Sequence, residues 1–199
     1  MQLKTVLLGI TAAVTLASCA QSPTGRSQLQ LYPSSELNKM GAASYEEMRK
    51  EGKINQDEQV NAYVRCVTDA LVGTLPGDYA QMDWEVTVFD EPTVNAFALP
   101  GGYIGVYNGL LETAENQHQL AAVIGHEIGH VIAEHSNERI SSNMLVGLGL
   151  QIGGVIASTQ MDSDEAGLLM AALGIGAQVG VLLPYSRTHE SESDELGLE

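Results

Sequence analysis

The five residues His126-Glu127-Ile128-Gly129-His130 constrain this 199-residue chain more than any other feature. Histidines four apart on a helix project from one face, one turn apart, so both imidazoles can reach one metal ion. Glu127 sits beside the first histidine, where a carboxylate can take a proton from a metal-held water; zinc lowers the pKa of such a water toward ~7. The flanking sequence supplies the helix. From Glu115 to about Ser136, Leu120, Val123, Ile124, Ile128, Val131 and Ile132 recur at helical spacing and define one apolar face. Burying that face leaves the histidine pair directed at a cleft. A pattern with three fixed positions also arises by chance, so its weight comes from this context.

A catalytic zinc site takes three protein ligands and keeps one open position. Glu134 continues the row of His126 and His130, but it lies ~12 Å along the helix from His126. An ion held at ~2 Å from each ligand cannot bridge that distance. His135 fails similarly and faces away from the row. A glycine three residues after His130 and a third histidine six after it would mark another zinc-peptidase pattern. Those positions hold Ala133 and Ser136. The third ligand is therefore expected from a separate helix, and the acidic stretch Glu190-Ser191-Glu192-Ser193-Asp194-Glu195 offers one. Glu190 and Asp194 are four apart and share a face, so one can ligate while the other orients a ligand histidine. Glu192 and Glu195 are rivals, but neither is followed by an aspartate four residues on. His118 and His189 are expected to face solvent, and Arg187 to pair with a nearby carboxylate.

The remaining chain sets limits on partners and architecture. With 9 basic and 25 acidic residues the formal net charge is −16, which repels nucleic acid and anionic membrane surfaces alike. Two cysteines, Cys19 and Cys66, make neither a disulfide framework nor a thiolate zinc site. Cys66, among Val60, Tyr63, Val64 and Val67, is expected as a small buried hydrophobe. A helix capped by Ser34 or Ser35 should run to about Lys50, and a second from Asp57 to about Leu75, before Pro76-Gly77. Trp84 to Phe89 alternates as a half-buried strand does, and Asn95 to Tyr107 reads as two strands about the turn Pro100-Gly101-Gly102. An edge strand there can accept an extended peptide, or it can be purely structural. Residues 144–158 and 166–184 are apolar and glycine-rich. They are expected as a buried or partly exposed helical hairpin in preference to a membrane span. Arg187 to Glu199 should begin another helix.

At the N-terminus, Lys4 precedes an apolar run from Val6 to Ala17, too short to span a bilayer as a mature helix. Residues 1–18 read as a secretory signal. Leu16-Ala17-Ser18-Cys19 resembles the bacterial lipobox, which implies an acylated Cys19 and hence a lipid anchor. Ala20, rather than Asp, next to that cysteine suggests the outer membrane, facing the periplasm. Residues 19–33, rich in Ser, Gln, Pro and Gly, are expected as a tether, and residues 34–199 as the domain.

Taken together, His126, Glu127 and His130 with the downstream Glu190 and Asp194 resemble the M48 family of peptidases, particularly its bacterial lipoprotein members. Asn95-Ala-Phe-Ala-Leu-Pro-Gly-Gly looks like that family's strand pair before the metal helix, and Pro23-Thr-Gly-Arg26 like the start of its lipoprotein members. The resemblance implies an α+β, mostly helical, zincin-like (gluzincin) domain with a small β-sheet beside the metal helix. It implies one zinc ion held by His126, His130 and Glu190, with Glu127 as general base and Asp194 orienting a ligand. It also implies a domain whose C-terminal part continues past Glu199, and misfolded or misassembled envelope proteins as substrates. Two other readings stand beside it. One is a non-catalytic, chaperone-like or binding lipoprotein that keeps a zinc site, which an intact Glu127 argues against. The other is a membrane-anchored scaffold built on residues 144–184.

Overall fold

A computed structural model of the chain describes residues 19–198, so the expected signal segment 1–18 lies outside the described residues. The backbone clusters into two compact units. One comprises Pro33–Ser136 with the final stretch from His189, and the other the stretch up to Tyr32 with Asn137–Thr188. The apolar stretch after Ser136 groups with the N-terminal segment.

The first unit opens with α1 (Ser34–Glu51) and α2 (Glu58–Val72). The Asp57 side chain caps α2 by accepting from the backbone N–H groups of Gln59 and Val60. The cap expected of Ser34 or Ser35 is absent. Pro33 holds that position in α1, with no side-chain hydrogen bond. In α2 the buried positions are Val64, Val67 and Thr68. Cys66 falls on the opposite side of the helix from Val64 and is exposed, correcting the buried position expected for it.

A 3₁₀ turn (Gly77–Gln81) leads to a three-stranded sheet of β3 (Glu85–Phe89), β4 (Ala96–Leu99) and β5 (Tyr103–Tyr107). The order is β3-β5-β4: β5 runs parallel to β3 and antiparallel to β4, which leaves β4 at an edge. The β4–β5 turn depends on Gly101 and Gly102, whose φ angles of 96° and 90° favour glycine. After the short α3 (Asn108–Thr113), unforeseen in the sequence, α4 (Gln117–Ile132) carries the histidine pair. Asn116 caps it by accepting from the N–H groups of His118 and Gln119. Leu120, Ile124, Ile128 and Ile132 of α4 join Val64, Val88, Ile104 and Val106 in one core. The apolar face read from the sequence is thus the face that seats α4 on the sheet and on α2.

The expected run of helix to about Ser136 breaks about one turn early, at Ile132. Glu134 adopts φ 49°, the left-handed region, and ends α4. A new helix, α5 (His135–Gln160), starts at once. It is followed by α6 (Ser163–Ala177), a π-helical turn (Gln178–Leu182) and α7 (Leu183–Gly197). The architecture is mostly helical with small sheets, as expected.

In the second unit, residues 19–32 contain a hairpin. β1 (Cys19–Gln21) and β2 (Ser27–Leu29) pair antiparallel about a turn in which Gly25 has φ 86°. The hairpin is ordered by polar side chains at the start of α5. Arg26 grips the wholly buried Glu138 with two hydrogen bonds of 2.8 and 2.7 Å. The Leu31 N–H donates to Ser141 Oγ, and Asn137 Nδ2 donates to the Tyr32 carbonyl. A buried carboxylate left without its cation is costly, so this contact holds the segment in place. Farther along, α5 and α6 fold back on each other with Met170 against Gly153 and Gly154. Ala157 and Ala166 are buried, whereas Ile152, Val155, Leu168 and Ile175 are exposed. By length and composition α5 is long and apolar enough to cross a membrane.

Candidate metal centre

Helix α4 delivers His126 and His130 from one face, and α7 crosses it closely. The crossing is made of small residues. A Cβ on Gly129 would stand 2.8 Å from Ser193 Oγ and 2.9 Å from the Ser193 carbonyl oxygen, and one on Gly125 would stand 2.8 Å from the Gly197 carbonyl oxygen. Only glycine allows this approach. Ser193 Oγ also donates to the His126 carbonyl, tying the two backbones together. The approach brings Glu190 over the histidine pair.

Among the described residues, His126, His130 and Glu190 form a group whose ligand atoms lie within 4.8 Å of one another. His126 Nε2 is 3.2 Å from His130 Nε2 and 3.3 Å from Glu190 Oε2, and His130 Nε2 is 3.7 Å from Glu190 Oε1. Three donors around a tetrahedral ion at ~2.0–2.1 Å are separated by about 3.3–3.4 Å. The donor triangle therefore has the size zinc requires, and its two-nitrogen, one-carboxylate chemistry is that of a catalytic zinc site. The His126 Nδ1–H donates to Asp194 Oδ1 over 2.7 Å, which leaves the Nε2 lone pair for an ion. Glu190 thus lies in the triangle and Asp194 against the far side of the His126 ring.

Glu127 lies beside the triangle. Burial raises its carboxyl above the ordinary range. The neighbouring His126 lowers it, Glu190 raises it, and a backbone hydrogen bond from Ala98 in β4 lowers it. Strand β4 thus borders the site with its edge and orients the acid through its main chain.

The rivals fall elsewhere. Glu134 accepts from Ser34 Oγ, away from the triangle. Glu192 and His135 are not members of the triangle but contact each other beneath it, Glu192 Oε2 lying 3.0 Å from His135 Nε2. His118 is exposed as expected. His189 is not: it is 2 % exposed, stacked on His135 with ring centroids 4.3 Å apart. Sequence reasoning excluded His135 as a ligand but missed its contact with His130, whose Nδ1 lies 2.8 Å from His135 Nδ1. The spacing of His135 from His130 gave no signal, because the left-handed break at Glu134 turns it inward.

Comparison with known proteins accords with this geometry. The sequence profile described as Peptidase family M48 matches residues 58–199. The mitochondrial metalloendopeptidase OMA1 of Bos taurus is 33% identical over 187 residues, covering 88% of this chain and 35% of the relative. That of Arabidopsis thaliana is 39% identical over 117 residues, 59% of this chain and 22% of the relative. The beta-barrel assembly-enhancing protease of Yersinia pestis is 25% identical over 167 residues, 80% of this chain and 33% of the relative. The chain spans about a third of the length of the first of these curated relatives. A profile covering most of the chain, and a relative a third identical along nearly all of it, agree with the histidine, glutamate and aspartate geometry of α4 and α7: the chain belongs to peptidase family M48.

Proposed function

We propose that this protein is a zinc-dependent endopeptidase of the bacterial cell envelope. The observation that carries the reading is the donor triangle of His126, His130 and Glu190 at zinc-compatible spacing, with Glu127 beside it. Bound there, zinc would supply Lewis acidity toward a water and a peptide carbonyl. The chain's own residues do the rest. Asp194 holds the His126 ring in the tautomer that presents Nε2. Glu127, oriented by the Ala98 N–H, accepts the proton of the attacking water on its carboxylate and can return it to the departing amine. The free side of β4 offers main-chain hydrogen bonds to an extended peptide, a mode that binds many sequences with little side-chain selection.

The envelope setting rests on other observations. Two bacterial relatives carry the names "Beta-barrel assembly-enhancing protease" (Yersinia pestis) and "Putative beta-barrel assembly-enhancing protease" (Vibrio cholerae). Residues 1–18 have the form of a secretory signal, and Leu16-Ala17-Ser18-Cys19 that of a lipobox. We therefore propose acylation at Cys19, an outer-membrane anchor facing the periplasm, and misfolded or misassembled envelope proteins as substrates.

The test is zinc content and casein cleavage, measured side by side on the chain lacking residues 1–19 and on its Glu127→Gln variant. Zinc in both and cleavage by the parent alone is the expected result. Zinc in both and cleavage by neither would replace the peptidase reading with a non-catalytic, zinc-holding binding protein.

A further inference from the structure

The two ligand histidines are backed in different ways. His126 meets a carboxylate directly, on Asp194, whose side chain is 69% exposed. His130 meets another imidazole, at 2.8 Å between the two Nδ1 atoms. At that distance one nitrogen carries a proton and the other accepts it. The far side of His135 decides which. Its Nε2 lies 3.0 Å from Glu192 Oε2, and an ionised carboxylate only accepts. The proton of a neutral His135 ring therefore sits on Nε2, and its Nδ1 is an acceptor. His130 must then donate through Nδ1–H, which leaves its Nε2 as a bare lone pair within the donor triangle.

Nothing in ligation alone calls for this arrangement to be buried, yet it is. His135 is 1 % exposed, Glu192 5 % and His189 2 %. The His189 ring lies over His135 with an interplanar angle of 20°, which fixes the plane in which His135 meets both partners. A buried glutamate is expensive unless a hydrogen bond or an ion uses it.

We infer that Glu192 and His135 form a positioning relay for the metal site: Glu192 sets the tautomer of His135, and His135 sets that of His130, so that His130 Nε2 is delivered ready to ligate. This rests on the metal-site reading above and extends it to two residues that do not touch the ion.

Substitutions at His135 separate the relay from mere packing. His135→Phe keeps an aromatic ring under His189 and removes both polar ends. His135→Asn places a carbonyl oxygen near the position of the lost Nδ1, where it can still accept from His130. Zinc affinity is measured by competition with a chelator, and the His130 tautomer by ¹⁵N shifts of the metal-free chain. The expected result is the Nδ1–H tautomer in the parent, about 10–100-fold weaker zinc binding in His135→Phe with His130 shifted toward Nε2–H, and substantial rescue in His135→Asn. Unchanged affinity and tautomer in His135→Phe, or an Asn variant as weak as Phe, overturns the relay. Should His135→Phe not fold, the parent decides: Nδ1–H on His130 supports the relay and Nε2–H overturns it. A parent that shows Nδ1–H but takes up no zinc sinks the metal-site reading instead, and the relay loses its role in ligation with it.

Discussion

Around His126 and His130 each described polar contact answers another: Asp194 to His126, the buried His135 to His130, and the buried Glu192 to His135. Along α5 and α6 the reverse holds, and Ile152, Val155, Leu168 and Ile175 face outward with no charged residue among positions 144–161. The first region obeys the rule that buried polar groups need partners. The second leaves large apolar side chains exposed along both helices. A helix that is apolar on all sides belongs in a core or a bilayer, so its sequence does not say which of its faces is covered. The polar region can be read because hydrogen bonds are directional and short. The apolar region resists reading because hydrophobic burial has no direction of its own.

The sharpest break between the regions is catalytic. Glu127→Gln should lower peptide cleavage by about 10²–10⁴-fold with zinc content unchanged, whereas no alanine substitution among the exposed residues of α6 should alter cleavage per molecule as strongly. Casein digestion normalised to bound zinc checks both arms.

Next in size is a contrast in stability between two aliphatic residues. Leu120 is fully buried on the inner face of the metal helix, and Ile152 is 62% exposed. Leu120→Ala should cost about 2–5 kcal/mol, and Ile152→Ala should stay within about 0.5 kcal/mol. Denaturant titration measures both. A large loss at Ile152 would mean that α5 is covered in solution by something absent among the described residues.

Gly129→Ala probes the helix crossing that assembles the site. Its new methyl would meet Ser193 at under 3 Å, so α7 must shift, at a cost of about 1–3 kcal/mol. Zinc affinity should fall with it, because Glu190 and Asp194 ride on the same helix. Loss of stability with full zinc affinity would show that the triangle tolerates the shift.

The last effect lies away from both regions and is read most clearly in alkali. Tyr45 is buried, its hydroxyl is bonded to Thr87 Oγ1 at 2.6 Å, and burial pushes its pKa to about 12. The folded state therefore holds this proton above the unfolded value of about 10. The associated stability is complete below pH ~10 and is lost as pH rises toward 12, by at most about 2–3 kcal/mol. Tyr45→Phe should flatten that part of a stability profile while lowering stability near neutral pH, through loss of the Thr87 contact.

Much of the site was legible before any coordinates. Helical periodicity gave the face of α4, the four-residue spacing of His126 and His130 gave their common direction, and the same spacing paired Glu190 with Asp194. His189 and Cys66 were misjudged for one reason. Local sequence reports which residues share a face, but it does not report which face a neighbouring element will cover. His135 was illegible for another. A glutamate in the left-handed region at position 134 cuts the helix and turns the next residue inward, and glutamate gives no local warning of that conformation. The hairpin of residues 19–33 was hidden because its order depends on Asn137, Glu138 and Ser141, more than 100 positions away.

The sequence by itself determined the chemical groups: two imidazoles, a carboxylate beside the first and an acidic helix, at spacings that backbone geometry within one helix enforces. Only the tertiary structure decided that α7 would lie against α4 closely enough to close the triangle, and that Glu192 would reach His130 through His135. That decision rests on glycines at positions 125 and 129, where the absence of a Cβ lets two backbones approach, a consequence that appears only when both helices are present in space.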